Sequence, residues 1–217
     1  MFDNIEAAIF DMDGTLIDSM WVWVSINTRY LENRNLSVPK DLKSNIEYLT
    51  FAESAQYFKD RFNIQDSVEE IINEWNSMAT YSYTHNVKLK PGVMEYLSLL
   101  KTQGIKIGLA TSNYPQLVEM ALSSNNILHF FDAVTTTEEV AREKNFPDIY
   151  LLTAEKLEVD PSKCIVFEDI LPAVKGAKLA GMKVVGVHDE YSLDQKEEIM
   201  KLSDFYIERY EELTKAV

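Results

Sequence analysis

Carboxylates, hydroxyls and an ammonium stand in this chain where apolar runs break off. The run 7–10 ends in Asp11-Met12-Asp13-Gly14-Thr15, the run 105–110 in Thr111-Ser112-Asn113, and the run 164–167 in Glu168-Asp169; Lys144 follows the run 133–135, just ahead of Pro147. Side chains of these types can move protons, attack an electrophile, hold a cation or bind an anion. Each piece also has a plainer reading. Asp-x-Asp-Gly can be a polar turn, Thr111 to Asn113 and Glu168-Asp169 can cap the helices that follow, and Lys144 can be a solvated surface lysine. The first motif is not an EF-hand loop, because Gly14 comes too early and Val22 stands where the bidentate glutamate belongs. Gly181 and Gly186 have P-loop spacing, but Val187 follows where lysine is required. Four separate caps would have to fall on four strand ends, which weakens the plain readings taken together.

The elements that would carry these groups follow from periodicity. Strands are expected at 7–10, 105–110, 133–135, 164–167, 183–187 and 204–207. Helices are expected from Pro91-Gly92 to Leu100 and near 116–124, 147–157, 172–180 and 193–202. Such alternation predicts an α/β fold, a Rossmann-like parallel sheet with helices on both faces. Between about Asp18 and Asn86 the pattern is helical instead. Phe51, Ala55, Phe58 and Phe62 share one face, Val68, Ile72, Trp75 and Ala79 another, and both stretches open with a capping-box pair, Thr50 with Glu53 and Ser67 with Glu70. The first strand finds partners only among the later strands. The domains expected are therefore a core of 1–17 and 88–217 and a small all-helical insert of 18–87, placed after the first strand. Ligands of open parallel sheets bind at the carboxyl ends of the strands, where every group named above falls.

Composition narrows the partners. The chain has 217 residues, 46% of them hydrophobic, enough to close a core, and its net charge is −14. Nucleic acid and anionic membranes, which are bound through clustered Lys and Arg, are poor partners for it. One cysteine, Cys164, excludes an internal disulfide, and His85, His129 and His188 lie too far apart for a structural zinc site. No basic stretch precedes an apolar one near Met1 and no apolar run approaches the roughly 20 residues that span a bilayer, so a cytoplasmic location is expected.

The motifs in this order resemble the haloacid dehalogenase superfamily, in particular its β-phosphoglucomutase-like and phosphoglycolate-phosphatase-like members with a helical C1-type cap. The resemblance rests on the run from Phe10 to Ser19, on Leu109-Ala110-Thr111-Ser112-Asn113, on Pro147-Asp148-Ile149-Tyr150, and on Val166-Phe167-Glu168-Asp169 with Ala180-Gly181-Met182. It implies a phosphoric monoester hydrolase dependent on Mg²⁺, acting on a small phosphorylated metabolite such as a sugar phosphate through an aspartyl-phosphate. Asp11 would be the nucleophile, and Asp13 would protonate the leaving oxygen and later take a proton from water. Asp11, Asp169 and the backbone carbonyl of Asp13 would hold the metal, with Glu168 either a ligand or its support. Thr111, Ser112, Asn113, Lys144 and Gly14 would bind the phosphate, Lys144 also offsetting charge during transfer. Trp21, Trp23 and Thr50 in the cap would border the substrate, with hinges near 16–18 and 86–90. A monomer is expected, a dimer being the alternative.

Two places depart from the family pattern. Asn145 stands where Gly-Lys-Pro would put proline, and Ile170 and Ala173 replace the serine and glycine that often follow Glu-Asp. An aspartate at position 13 points to phosphoryl transfer rather than dehalogenation. A β-phosphoglucomutase-type mutase is the first alternative; the stretch 46–53 lacks the basic residues that would hold a second phosphate, which favours hydrolysis. A non-catalytic binding protein is the second, and the intact Asp11–Asp13 pair argues against it.

Overall fold

The computed structural model describes residues 4–46, 49 and 51–214. Eight strands are present among the described residues: β1 Ala7–Phe10, β2 Ile17–Asp18, β3 Lys88–Leu89, β4 Lys106–Thr111, β5 Ala133–Thr136, β6 Cys164–Glu168, β7 Lys183–Val187 and β8 Phe205–Ile207. The α-helices are α1 Trp21–Glu32, α2 Leu42–Ile46, α3 Phe51–Phe62, α4 Val68–His85, α5 Val93–Thr102, α6 Pro115–Ser124, α7 Asp148–Lys156, α8 Leu171–Leu179, α9 Lys196–Leu202 and α10 Glu211–Thr214. The chain divides into two compact units, one holding the segments up to Ser19 and from Val87 onward, the other Met20–Asn86.

The first unit is an α/β fold around a six-stranded parallel sheet of order β5-β4-β1-β6-β7-β8. The expected sheet strands are all found, most with ends shifted by a residue. β1 is central: its Ala8 pairs with Ile107 of β4 on one side and with Ile165 of β6 on the other. Every side chain of Ala7–Phe10 is buried, as a strand covered on both faces requires. Ala7, Ile9 and Val166 face a core closed by Ile149 and Ala154 of α7 and Val174 and Ala177 of α8. Phe10 turns to the other face, stacks on Phe167 with centroids 4.5 Å apart, and meets Tyr96 of α5 edge-on at 6.3 Å. After β5 the chain crosses back to the far side of β1. That reversal opens a crevice at the carboxyl ends of β1, β4 and β6.

β2 and β3 were not expected as strands. Ile17 pairs with Leu89 and Asp18 with Lys88, antiparallel, and Lys90 N–H donates to the Leu16 carbonyl at 2.9 Å. The stretches read as hinges are therefore tied side by side. Two residues per strand leave no run long enough for alternation to show in the sequence. The expected helix 193–202 is also divided: Glu190–Gln195 is a 3-10 turn, with α9 after it.

In the second unit α1 and α3 pack on α4. Tyr30, Phe58 and Trp75 form its aromatic centre, with centroids 4.9 to 6.0 Å apart. The buried stripe of α4 runs through Ile71, Trp75 and Ala79, so Ile71 joins the face that Val68, Ile72, Trp75 and Ala79 were expected to share. Val68 and Ile72 fall on the same face by helical angle and are half-buried, whereas Ile71 lies at its margin and is buried. Ser67 and Glu70 form the expected capping box, with Ser67 N–H donating to Glu70 at 2.7 Å and Glu70 N–H donating to Ser67 Oγ at 3.2 Å. The Thr50–Glu53 pair lies outside the described residues.

Both edge strands begin with the same device. Ahead of β5, Asp132 Oδ2 accepts from Ile107 N–H at 2.7 Å and from Lys101 Nζ at 2.6 Å; ahead of β8, Asp204 Oδ2 accepts from Val184 N–H at 2.7 Å and from Lys178 Nζ at 2.8 Å. Partial burial alone would raise either carboxyl, but the hydrogen bonds outweigh it and hold both below the usual carboxylate range. A depressed folded-state pKa contributes stability above the unfolded value of about 3.9 and loses it as pH falls through the folded value. Asp132→Ala and Asp204→Ala are each expected to cost about 1 kcal/mol at pH 7, mostly from the lost backbone partner because the exposed ammonium adds little. Urea melts from pH 7 down to pH 3 check this, and the gap to the unaltered protein should narrow below about pH 4.

Candidate active site

The crevice is built from strand ends. Asp11 follows β1 directly, its N–H still bonded to the Phe167 carbonyl at 3.0 Å, so its side chain is set by the sheet itself. Gly14 holds φ at 78°, which turns the chain back so that its N–H reaches the Ile17 carbonyl at 3.0 Å. Glu168 ends β6, with Asp169 next to it. Lys144 comes from the irregular segment ahead of α7 and is buried, its Nζ donating to Asp11 Oδ1 at 2.7 Å and to the Ala110 carbonyl at 3.0 Å and pairing with Glu168 Oε1. It is not a solvated lysine.

Asp11, Glu168 and Asp169 bring one oxygen each within 4.8 Å of one another, all three buried. With Lys144 the group carries three potential negative charges against one positive. Burial, and then the Asp11 charge, push Glu168 up to about 8 against the pull of Lys144. Burial, then Asp11, Glu168 and Asp189, hold Asp169 well above the ordinary carboxylate range, with Lys90 opposing them. Burial pulls Lys144 down, but Asp11 and Glu168 prevail and raise it. The cluster is short of positive charge, which favours a proton or a cation beside it. Its donor set is all oxygen, and Glu168 Oε2 is buried with no hydrogen-bond partner among the described residues. Both facts suit a hard divalent cation such as Mg²⁺.

Asp13 belongs to a neighbouring group. Its Oδ1 accepts from Ser19 Oγ at 2.6 Å and its Oδ2 from the Asn113 side-chain amide. Asn113 N–H donates to Thr111 Oγ1 at 3.2 Å, and Thr111 is buried while Ser112 is exposed. Neither strand-end motif caps its following helix: the N-cap residues are Tyr114 and Ile170, without a side-chain bond. Trp21 and Trp23 open α1 in the other unit, both half-buried, with Trp23 edge-on to Phe51 at 5.3 Å. Thr50 lies outside the described residues.

Several contributors escaped sequence reasoning. Thr15 Oγ1 donates to Asp169 Oδ1 at 3.1 Å, and the Tyr210 hydroxyl donates to the Thr15 carbonyl at 3.3 Å. Tyr150 of α7 reaches Glu168 Oε1 at 2.8 Å. Lys90 pairs with Asp189 at 2.8 Å. Gly176 of α8 lies so close to the lysine segment that an added Cβ would stand 2.0 Å from the Lys144 carbonyl oxygen and 2.8 Å from that of Phe146. A glycine inside a helix was the available signal, since it marks close approach of another backbone. This contact seats the lysine in a loop that lacks the usual proline.

Comparison with known proteins agrees with this geometry. The family model for haloacid dehalogenase-like hydrolases matches residues 8–187. A phosphorylated carbohydrates phosphatase of Thermotoga maritima is 32% identical over 184 residues, covering 84% of this chain and 85% of the relative. Hexitol phosphatase B of Escherichia coli is 30% identical over 190 residues, covering 85% and 84%. A Thermotoga maritima crystal structure, provisionally described as a beta-phosphoglucomutase, superposes with a TM-score of 0.86 at 29% identity over 98% of this chain and 100% of its own. The chain thus belongs to the haloacid dehalogenase-like hydrolases, and within them it is a phosphoric monoester hydrolase.

Proposed function

We propose that this enzyme hydrolyses a small phosphorylated metabolite, a sugar or polyol phosphate being the class to test first, through an aspartyl-phosphate on Asp11. The observation that carries the reading is the buried Lys144–Asp11 pair set against Glu168 and Asp169, with Asp13 two residues further along the same turn. The names of the two curated relatives support the substrate class.

In the first step a carboxylate oxygen of Asp11 attacks phosphorus and the ester P–O bond breaks, Asp13 giving its proton to the leaving oxygen. In the second, water attacks phosphorus, Asp13 takes the proton, and the bond to Asp11 breaks to release phosphate. Dividing the displacement lowers each barrier. Ser19 and Asn113 fix the direction of the Asp13 carboxyl, and Lys144 offsets charge as it builds on the transferring group. Asp11, Asp169 and the Asp13 carbonyl, with Glu168 beside them, would hold Mg²⁺, which when bound supplies charge neutralisation to the phosphoryl oxygens. Thr111, Ser112 and Gly14 are assigned to the phosphate, and Trp21, Trp23 and Thr50 to substrate selection.

Hydrolysis is favoured over mutase chemistry because the stretch 46–53 offers no cation for a second phosphate. A phosphate-release screen over phosphorylated metabolites with Mg²⁺ tests the assignment, and faster interconversion of hexose phosphates with a bisphosphate primer would reverse it. Asp11→Asn is expected to lower kcat by at least about 10³-fold and Asp13→Asn by about 10² to 10⁴-fold; phosphate release should also stop in excess chelator and return with Mg²⁺. Gly176→Ala should displace Lys144 and cut kcat/KM by about 10²-fold in protein that still melts cooperatively. Alanine at Trp21, Trp23 or Thr50 should alter the ranking of substrates more than turnover of p-nitrophenyl phosphate, and uniform loss would refute that role.

A further inference from the structure

Glu168 has two oxygens with unlike surroundings. Oε1 meets both the Lys144 ammonium and the Tyr150 hydroxyl, the latter at 2.8 Å. Oε2 is buried and has no partner among the described residues. Tyr150 sits in the first turn of α7, is fully buried, and holds Lys144 Nζ 5.9 Å from its ring centroid. Its hydroxyl also lies 3.2 Å from the Ala173 carbonyl at the start of α8. One phenolic proton cannot serve two acceptors fully, and the Glu168 oxygen is the nearer of the two.

A buried carboxylate oxygen left unpaired is costly, so a carboxylate free to rotate would share its partners between both oxygens. Here two donors from different elements, α7 and the segment ahead of it, converge on the same oxygen and fix the carboxylate plane. We propose that Tyr150 is a positioning residue for the cation: by holding Glu168 Oε1 beside Lys144, it reserves Oε2 for a divalent cation or a water bound to one. The role of Glu168, open between ligand and support on sequence grounds, is then set by a tyrosine on another element. This inference rests on the cation site assigned under the proposed function.

Tyr150→Phe keeps the ring and removes the hydroxyl, so it separates positioning from simple filling of the core. Mn²⁺ serves as the probe, its binding followed by loss of the free-ion electron paramagnetic resonance signal, without substrate. Tyr150→Phe is expected to weaken Mn²⁺ about tenfold and to raise the Mg²⁺ concentration giving half-maximal phosphate release by a similar factor. Glu168→Gln should weaken Mn²⁺ as well, and adding Tyr150→Phe to it should cost nothing further, because the hydroxyl acts through Glu168. The proposal is overturned if Tyr150→Phe binds Mn²⁺ within twofold of the unaltered enzyme, or if its effect persists undiminished in the Glu168→Gln background. Should Tyr150→Phe fail to fold, unchanged Mn²⁺ affinity in Glu168→Gln overturns it equally. If the unaltered enzyme binds no Mn²⁺, the cation site itself fails, an outcome distinct from tight binding by both enzymes.

Discussion

The Lys144 ammonium lies buried between Asp11 and Glu168, with Asp169 beside them, and most of the core unit is arranged around that imbalance of charge. Removing carboxylates from water is costly, and one ammonium cannot offset three of them. The groups stay together because the sheet supplies rigid anchors. Asp11 follows β1 and Glu168 ends β6, adjacent parallel strands paired up to Phe10 and Phe167, so the separation of the two carboxylates is fixed by hydrogen-bonded backbone rather than by side-chain choice. The remaining deficit of positive charge suits the cluster to holding a cation, and the same arithmetic applies to a phosphorylated substrate. A dianion approaching a chain of net charge −14 needs concentrated local cations to overcome the field.

Holding Lys144 in place requires close packing elsewhere. The lysine segment has no regular structure and carries Asn145 where the family pattern has proline, so little of its conformation is set locally. Tertiary contacts replace what the proline would have restricted: α8 approaches without a side chain at Gly176, and the Ala110 carbonyl at the end of β4 receives the ammonium. Tyr150 ties the following helix to Glu168. The site is thus preorganised by elements on both sides of β1, each of which would be an ordinary core element without the others.

The order of strands, the parallel sheet and the carboxylates at strand ends could be read from the chain because buried strands are short apolar runs and breaks in them are conspicuous. Ala7–Phe10 and Lys183–Val187 are found with the expected ends. The β2–β3 pair could not be read, since two-residue strands carry no period, and the burial of Ile71 escaped because it lies at the margin of the stripe that Val68, Ile72, Trp75 and Ala79 define on α4. Among site residues, Asp11, Lys144, Glu168 and Asp169 converge as their positions after strands suggest. Thr15, Tyr150, Gly176 and the Lys90–Asp189 pair act across long sequence separations, which spacing does not encode.

Sequence by itself determined which chemistry is available: carboxylates, hydroxyls and a lysine placed at the ends of apolar runs, in an order that a parallel sheet brings to one edge. Only the tertiary structure decided how those groups share partners. It placed Asn113 on Asp13, brought Lys144 between two carboxylates, and left one oxygen of Glu168 unpaired among the described residues. The reason is physical. Burial and hydrogen-bond competition depend on which elements pack together, and those long-range contacts set charge state and direction for side chains whose identity the sequence fixes only as candidates.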